Sequence, residues 1–345
     1  MSEFRLTAGE CLDWKEVISN FQFLRAYGWH DSSVIRRIFS LARHLGYRSV
    51  LIDDVSGCDL CAIEGEAIHA CNLSYRRSRV TKCSFFKSSA SGSTPKQEDF
   101  IGYVVVKEDY ADKDVAICLH VYESVLRHPF RDDNKHFIHN NHFVHCGRNH
   151  KIMTSKGVFY IRGVLFAQQN GISSLCAHVA IRSALDCMFG DHFSSYGDYN
   201  AKGGIQCADL QKTISSDQIE RILESYGCKF RRHDESAPLN PLTPDFDNAL
   251  YGAVESGLPA LLVFRVAQSE GHPHMIPILG HSFGSHTWAH VAEQCYFGEQ
   301  HIYSHTTPVK TGWVTILSTM GTSGRILQFH EDLENGRIET VFSMR

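Results

Sequence analysis

Residues 166–185 read FAQQNGISSLCAHVAIRSAL, and this stretch decides how the rest of the chain is organised. Gln, Asn, Gly and Ser make its first part a loop. From Cys176 onward apolar residues recur at helical spacing, so a helix begins at the cysteine. A helix N-terminus offers N–H groups without intrahelical partners and a partial positive charge, and both favour thiolate over thiol. Cys176 is thereby set apart from the other eleven cysteines. Gln168 and Gln169, a few residues upstream, each carry an amide N–H that could stand beside the Cys176 backbone N–H and stabilise an oxyanion. Taken alone, the passage also fits a buried cysteine at a helix start beside two loop glutamines.

A second passage adds a base. SGLPALLVFRV (256–266) and GHPHMIPILGH (271–281) read as a strand, a polar turn and a strand that opens with His274. A histidine at a strand start beside a cleft can reach a thiolate on a facing helix within the roughly 3–4 Å that a Cys–His pair needs. His281, His286 and His290 follow closely and are further candidate bases. Such a run could bind metal, but no Glu or Cys falls at the helical i, i+4 offset that a zinc hydrolase helix uses. His178, two residues after the cysteine, points elsewhere on the helix and is read as structural.

The order Gln, then Cys at a helix start, then His leading an apolar strand that ends in Gly (HMIPILG, 274–280) resembles the papain-like cysteine peptidase superfamily. Within it the similarity is to the compact bacterial branch typified by peptidases that process double-glycine bacteriocin leaders. The resemblance covers roughly residues 160–325. It implies a papain-like fold, a nucleophile at Cys176, a base at His274 and an oxyanion-hole glutamine at Gln169 or Gln168. Two departures stand out. Gln169 lies seven residues before Cys176, one more than the usual gap. The Asn or Asp that orients the histidine in the family has no counterpart in WVTILSTMG (313–321), where only Ser318 or Thr319 falls near the expected place. A hydroxyl or a backbone carbonyl would then hold the imidazole.

The implied chemistry is amide or peptide hydrolysis through a thioester acyl-enzyme, on a protein or peptide substrate, with no cofactor needed for catalysis. A papain-like binding module with impaired catalysis, or an acyltransferase of transglutaminase type on the same fold, is the alternative.

The first half carries a different constellation. GCDLCAIEGEAIHACNLSY (57–75) holds Cys58, Cys61, His69 and Cys71, four soft ligands in a plausible order for structural zinc, although the His-x-Cys spacing is unusual and buried thiols would also explain it. Around it, residues 14–45 show helical periodicity in two segments split near Gly28. SVLIDDV (49–55) is of strand type, 86–99 is a Ser/Gly/Pro loop, and four segments (100–109, 115–123, 137–146 and 156–166) read as successive strands. Beyond residue 167, helices are expected over 176–188, 216–226 and 246–256. The expectation is an α+β protein with a smaller N-terminal recognition or regulatory domain (1–155) and a papain-like domain (156–345), in which the helix carrying the cysteine packs on an antiparallel sheet.

The bulk numbers narrow the class. At 345 residues, 43% hydrophobic and 21% charged, the chain has the composition of a folded enzyme. A net charge of -4 gives no electrostatic reason for a nucleic-acid partner, and Arg76, Arg77 and Arg79 read as a solvated face. No run approaches the roughly 18 apolar residues of a spanning helix, and MSEFRLTAGECLDWKE lacks the features of a secretory signal. A cytoplasmic location away from the membrane, with the twelve cysteines as thiols, is the expectation.

Overall fold

The computed structural model describes residues 11–57, 64–65, 68–69, 74–90, 94–127, 142–144, 147–172, 175–190, 195–205, 214–234, 253–254, 256–266, 273–283, 313–318 and 336–344. These build an α+β architecture in which every sheet is antiparallel.

The first sheet is a meander in chain order: β1 (Cys11–Glu16), β2 (Ser49–Asp54), β3 (Tyr75–Phe86), β4 (Phe100–Ala111) and β5 (Ala116–Leu126). Both its faces are buried, and strand alternation assigns them. Val50, Ile52, Val104 and Val106 enter one core, whereas Leu51, Tyr103 and Val105 enter the other. The first core is closed by α1 (Asn20–Ala26) and α2 (Ser33–His44). Ser19 and Ser32 start these helices by accepting the N–H groups of Gln22 and Ile35. Along α2, Val34, Ile35, Ile38, Phe39 and Ala42 form the apolar stripe that meets the sheet.

The other face packs against α3 (Cys176–Phe189). From Cys176 to Cys187 every residue of this helix is buried, as befits a helix with neighbours on all sides. Across it lies the second sheet, in the order β12 (Trp313–Ser318), β11 (His274–Phe283), β10 (Ala260–Val266), β13 (Gly336–Met344) and β9 (Phe230–Asp234), with β6 (His142–Val144) also pairing with β11. Two capped helices, α4 (Tyr196–Gly203) and α5 (Ser216–Ser225), follow α3. Each starts with a capping box, from Ser195 with Asp198 and from Ser215 with Gln218.

The two halves are joined more closely than a division at residue 155 suggests. That position falls in the turn of the hairpin formed by β7 (Arg148–Thr154) and β8 (Gly157–Gly163), and β6 from the first half pairs with the second sheet. Arg182 of α3 pairs with Glu123 of β5 in the shared interior, where the Tyr103 hydroxyl donates to the same carboxylate at 2.9 Å. Arg148 of β7 donates to the Cys187 and Met188 carbonyls, 2.6 and 3.0 Å, and closes the C-terminal end of α3. Gly163 allows β8 to run against the end of β5, since a Cβ there would overlap the Leu126 carbonyl.

Strands β1, β3, β7, β9 and β13 add to the expected set; β1 corrects the helical reading from Trp14, since Trp14 to Glu16 pair with β2 and the first helix starts only at Asn20. Most of 246–256 lies outside the described residues; Ala253 and Val254 are seen in helical conformation and Ser256 in a turn. Among the described residues no helix is long and apolar enough to cross a membrane.

Candidate functional site

Cys176 is the first residue of α3, and its N-cap is Leu175, whose side chain offers the helix no hydrogen bond. The first-turn N–H groups are therefore available to the sulfur. The backbone N–H groups of Cys176 itself, of Ala177 and of Met275 lie near enough to the sulfur to favour its thiolate. The Met275 contact locates the second sheet: β11 begins at His274, so the candidate base is the chain neighbour of the residue whose backbone touches the candidate nucleophile. His274 is half-buried, pairs in register with Phe264 of β10, and lies with its ring centre 6.0 Å from that phenyl ring. Residues ninety-eight positions apart in sequence, Cys176 and His274, thus come from a helix start and a strand start that pack on each other.

The resting thiol differs from the expectation of a poised thiolate. Burial pushes the Cys176 thiol up, and the three backbone N–H groups pull it down without overcoming burial. The helix start supplies the favourable field, but a residue only 6% exposed has lost most of the water that would stabilise a charge on its sulfur.

The glutamines divide. Gln168 is buried and pinned to β5: its backbone N–H donates to the Val121 carbonyl at 2.9 Å, and its side-chain oxygen accepts the Val121 N–H at 3.1 Å. Gln169 is half-buried in the turn that leads to the cysteine. Its neighbour Asn170 anchors that turn by donating to Glu64 at 2.9 Å and accepting the Ile172 N–H at 2.9 Å. Ser318 is the register partner of Ile278. Ile278 lies four steps along the strand from His274, about 13 Å at the usual rise, so the backbone of Ser318 is far along β12 from the imidazole. Thr319, His286 and His290 lie outside the described residues, and of His281 only its strand backbone is described.

His178 is structural, as read from its place on the helix. It bonds through Nε2 to Asn200 Oδ1 at 2.7 Å, beside the Tyr196 and Tyr199 rings. Burial lowers its pKa to about 4, against a smaller upward pull from the Asn200 bond. The arginines Arg76 and Arg77 are exposed and pair with Asp112 and Asp114, a solvated face.

Of the proposed zinc set, Cys58, Cys61 and Cys71 lie outside the described residues, and His69 is seen with its ring 6.3 Å from that of Tyr75. The structure instead gathers a cluster in the same half that sequence spacing did not reveal. Lys107 and Asp109 of β4 stand in register with His120 and Cys118 of β5, with Glu64 above them. Lys107 Nζ lies 3.1 Å from Glu64 and 3.0 Å from Asp109. Burial alone would lower His120, but the Glu64 carboxylate outweighs it and the pKa is pushed up to about 10. The alternation Cys-x-His on β5 was visible in the sequence; its cross-strand partners were not.

Set beside known proteins, the chain matches no family model, no curated protein and no solved structure.

Proposed function

We propose that this protein is a papain-like cysteine hydrolase that cleaves an amide bond in a protein or peptide through a thioester acyl-enzyme. The observation that carries the proposal is the packing of β11, which opens with His274, against α3, which opens with Cys176. Because the sulfur rests as a thiol, the chemistry begins with proton removal rather than from a standing ion pair. His274 takes the proton as Cys176 Sγ bonds to the substrate carbonyl carbon. The oxyanion is held by backbone N–H groups at the helix start and by the Gln169 amide. His274 then returns the proton to the leaving amine as the C–N bond breaks, and water repeats the sequence to free the acid. An acyltransferase would use the same groups and differ in the second nucleophile.

Cys118, His120 and Glu64 also line up as thiol, imidazole and carboxylate. Cys118, however, gives its S–H to the Asn170 carbonyl at 2.8 Å, an oxygen that would repel an oxyanion, so the first site is preferred.

The test is the pH dependence of iodoacetamide labelling, with peptide mapping, in the wild type and in His274→Ala. General-base help at neutral pH predicts that wild-type Cys176 labels at least about ten-fold faster than the variant at pH 7, with the two rates converging only above the burial-raised pKa of the Cys176 thiol. Equal rates at every pH, or labelling spread over several cysteines, would overturn the enzyme and favour a binding module.

A further inference from the structure

We propose that Asp109, Cys118 and His120 form a binding site for a divalent metal ion of the zinc class. The antiparallel register of β4 and β5 builds it. Asp109 is the direct partner of Cys118, and His120, two residues further along β5, shares the face of Cys118. One oxygen, one sulfur and one nitrogen from the three side chains lie within 4.8 Å of one another. Cys118 Sγ is 3.5 Å from His120 Nδ1, and that nitrogen is 4.0 Å from Asp109 Oδ2. Bonds of about 2.0–2.3 Å in a tetrahedron put ligand atoms roughly 3.3–3.8 Å apart, so a small closing movement completes the geometry.

The surrounding groups hold these ligands as metal ligands are held. Asp109 Oδ1 is occupied by the Ser78 hydroxyl at 2.6 Å and by Lys107 at 3.0 Å. Its other oxygen, Oδ2, is buried and has no hydrogen-bond partner among the described residues, a costly state unless a cation or donor takes it. His120 Nε2 lies 3.2 Å from Glu64 Oε1, an ion-pair distance without the alignment of a hydrogen bond, which leaves Nδ1 for the shared centre; a carboxylate behind a histidine raises its basicity as a ligand. Glu64 and Asp109 face two cation-forming groups, Lys107 and His120, so the ion enters by displacing protons rather than by adding charge. The mixed sulfur, nitrogen and oxygen donors favour zinc or a similar transition metal over magnesium or calcium. On binding, the Cys118 S–H bond and the His120 Nδ1–H bond break, both protons leave to solvent, and the thiolate and Nδ1 bond to the ion while Nε2 keeps its hydrogen toward Glu64. Cys118 is half-exposed, which leaves a path for the ion and a fourth position for water.

This proposal is independent of the chemistry at Cys176. Its test uses the full chain incubated with zinc chloride, dialysed and analysed for bound metal by mass spectrometry. The expected result is a single tightly held equivalent, with X-ray absorption showing one sulfur neighbour at about 2.3 Å among nitrogen and oxygen ligands. Cys118→Ser and Asp109→Asn should each abolish retention, and Glu64→Gln should weaken it roughly 10–100-fold. X-ray absorption on the wild type is informative even if a variant fails to fold. No retained zinc, a shell with two or more sulfurs, or retention that survives Cys118→Ser and is lost in Cys61→Ser would overturn the assignment.

Discussion

Replacing Arg182 with Met should destabilise the protein by about 3–5 kcal/mol, the usual cost of removing one member of a buried ion pair and leaving the other charge behind. The pair is buried on both sides, with Arg182 3% and Glu123 5% exposed. The guanidinium also lies 5.1 Å from the centre of the Tyr122 ring, so the substitution removes a stacked cation as well as a charge partner. Glu123→Gln leaves the converse, an unpaired guanidinium in the interior, and should cost a similar amount. In Arg182→Met/Glu123→Gln no charge is stranded, and the Tyr103 hydroxyl keeps an amide acceptor. The double variant should therefore be more stable than the sum of the singles by at least about 2 kcal/mol. Urea unfolding followed by circular dichroism measures this; with a slope near 3 kcal/mol/M, each single should lower the midpoint by about 1 M or more. Singles costing under about 1 kcal/mol, as exposed pairs do, or a strictly additive double would refute the idea that this contact welds the helix bearing Cys176 to the first sheet.

Two further outcomes are expected. His178 is held neutral, with its pKa lowered to about 4 from an unfolded value near 6.5, so its contribution is present above pH 6.5 and is lost as pH falls toward 4. By pH 4.5 the loss should reach about 2.5 kcal/mol, and urea midpoints at pH 7 and 4.5 should show less pH dependence in His178→Gln. Gly163→Ala should lower the melting temperature and cost about 1–3 kcal/mol, because the new methyl meets the Leu126 carbonyl; an unchanged melting temperature would mean that β8 and β5 are not in close backbone contact.

Local signals carried much of the architecture. The serines at 19, 32, 195 and 215 are the caps from which four helices start, and the stripe from Val34 to Ala42 shows which side of α2 is buried. The strand at 260–266 and the one opening at His274 were legible because continuous apolar runs between turn residues suit doubly covered strands. Strand β3 was harder to see: Tyr75 to Arg79 is polar, and its pairing with Ala111 to Glu108 is set by the neighbouring strand rather than by its own pattern. A division near residue 155 follows from composition alone, but β7 and β8 pair across it and Arg182 finds Glu123 through it, contacts that no local pattern encodes.

The sequence by itself determined that Cys176 would open a helix and that His274 would open a strand, since caps, loops and periodicity are properties of a few neighbouring residues. The tertiary structure decided that the Met275 N–H lies near the Cys176 sulfur, that burial keeps that sulfur a thiol, and that Gln168 is bound to β5. It also brought Asp109, Cys118 and His120 around one point. These outcomes depend on strand register and on the water excluded when sheet meets helix, and both are set only when distant parts of the chain pack together.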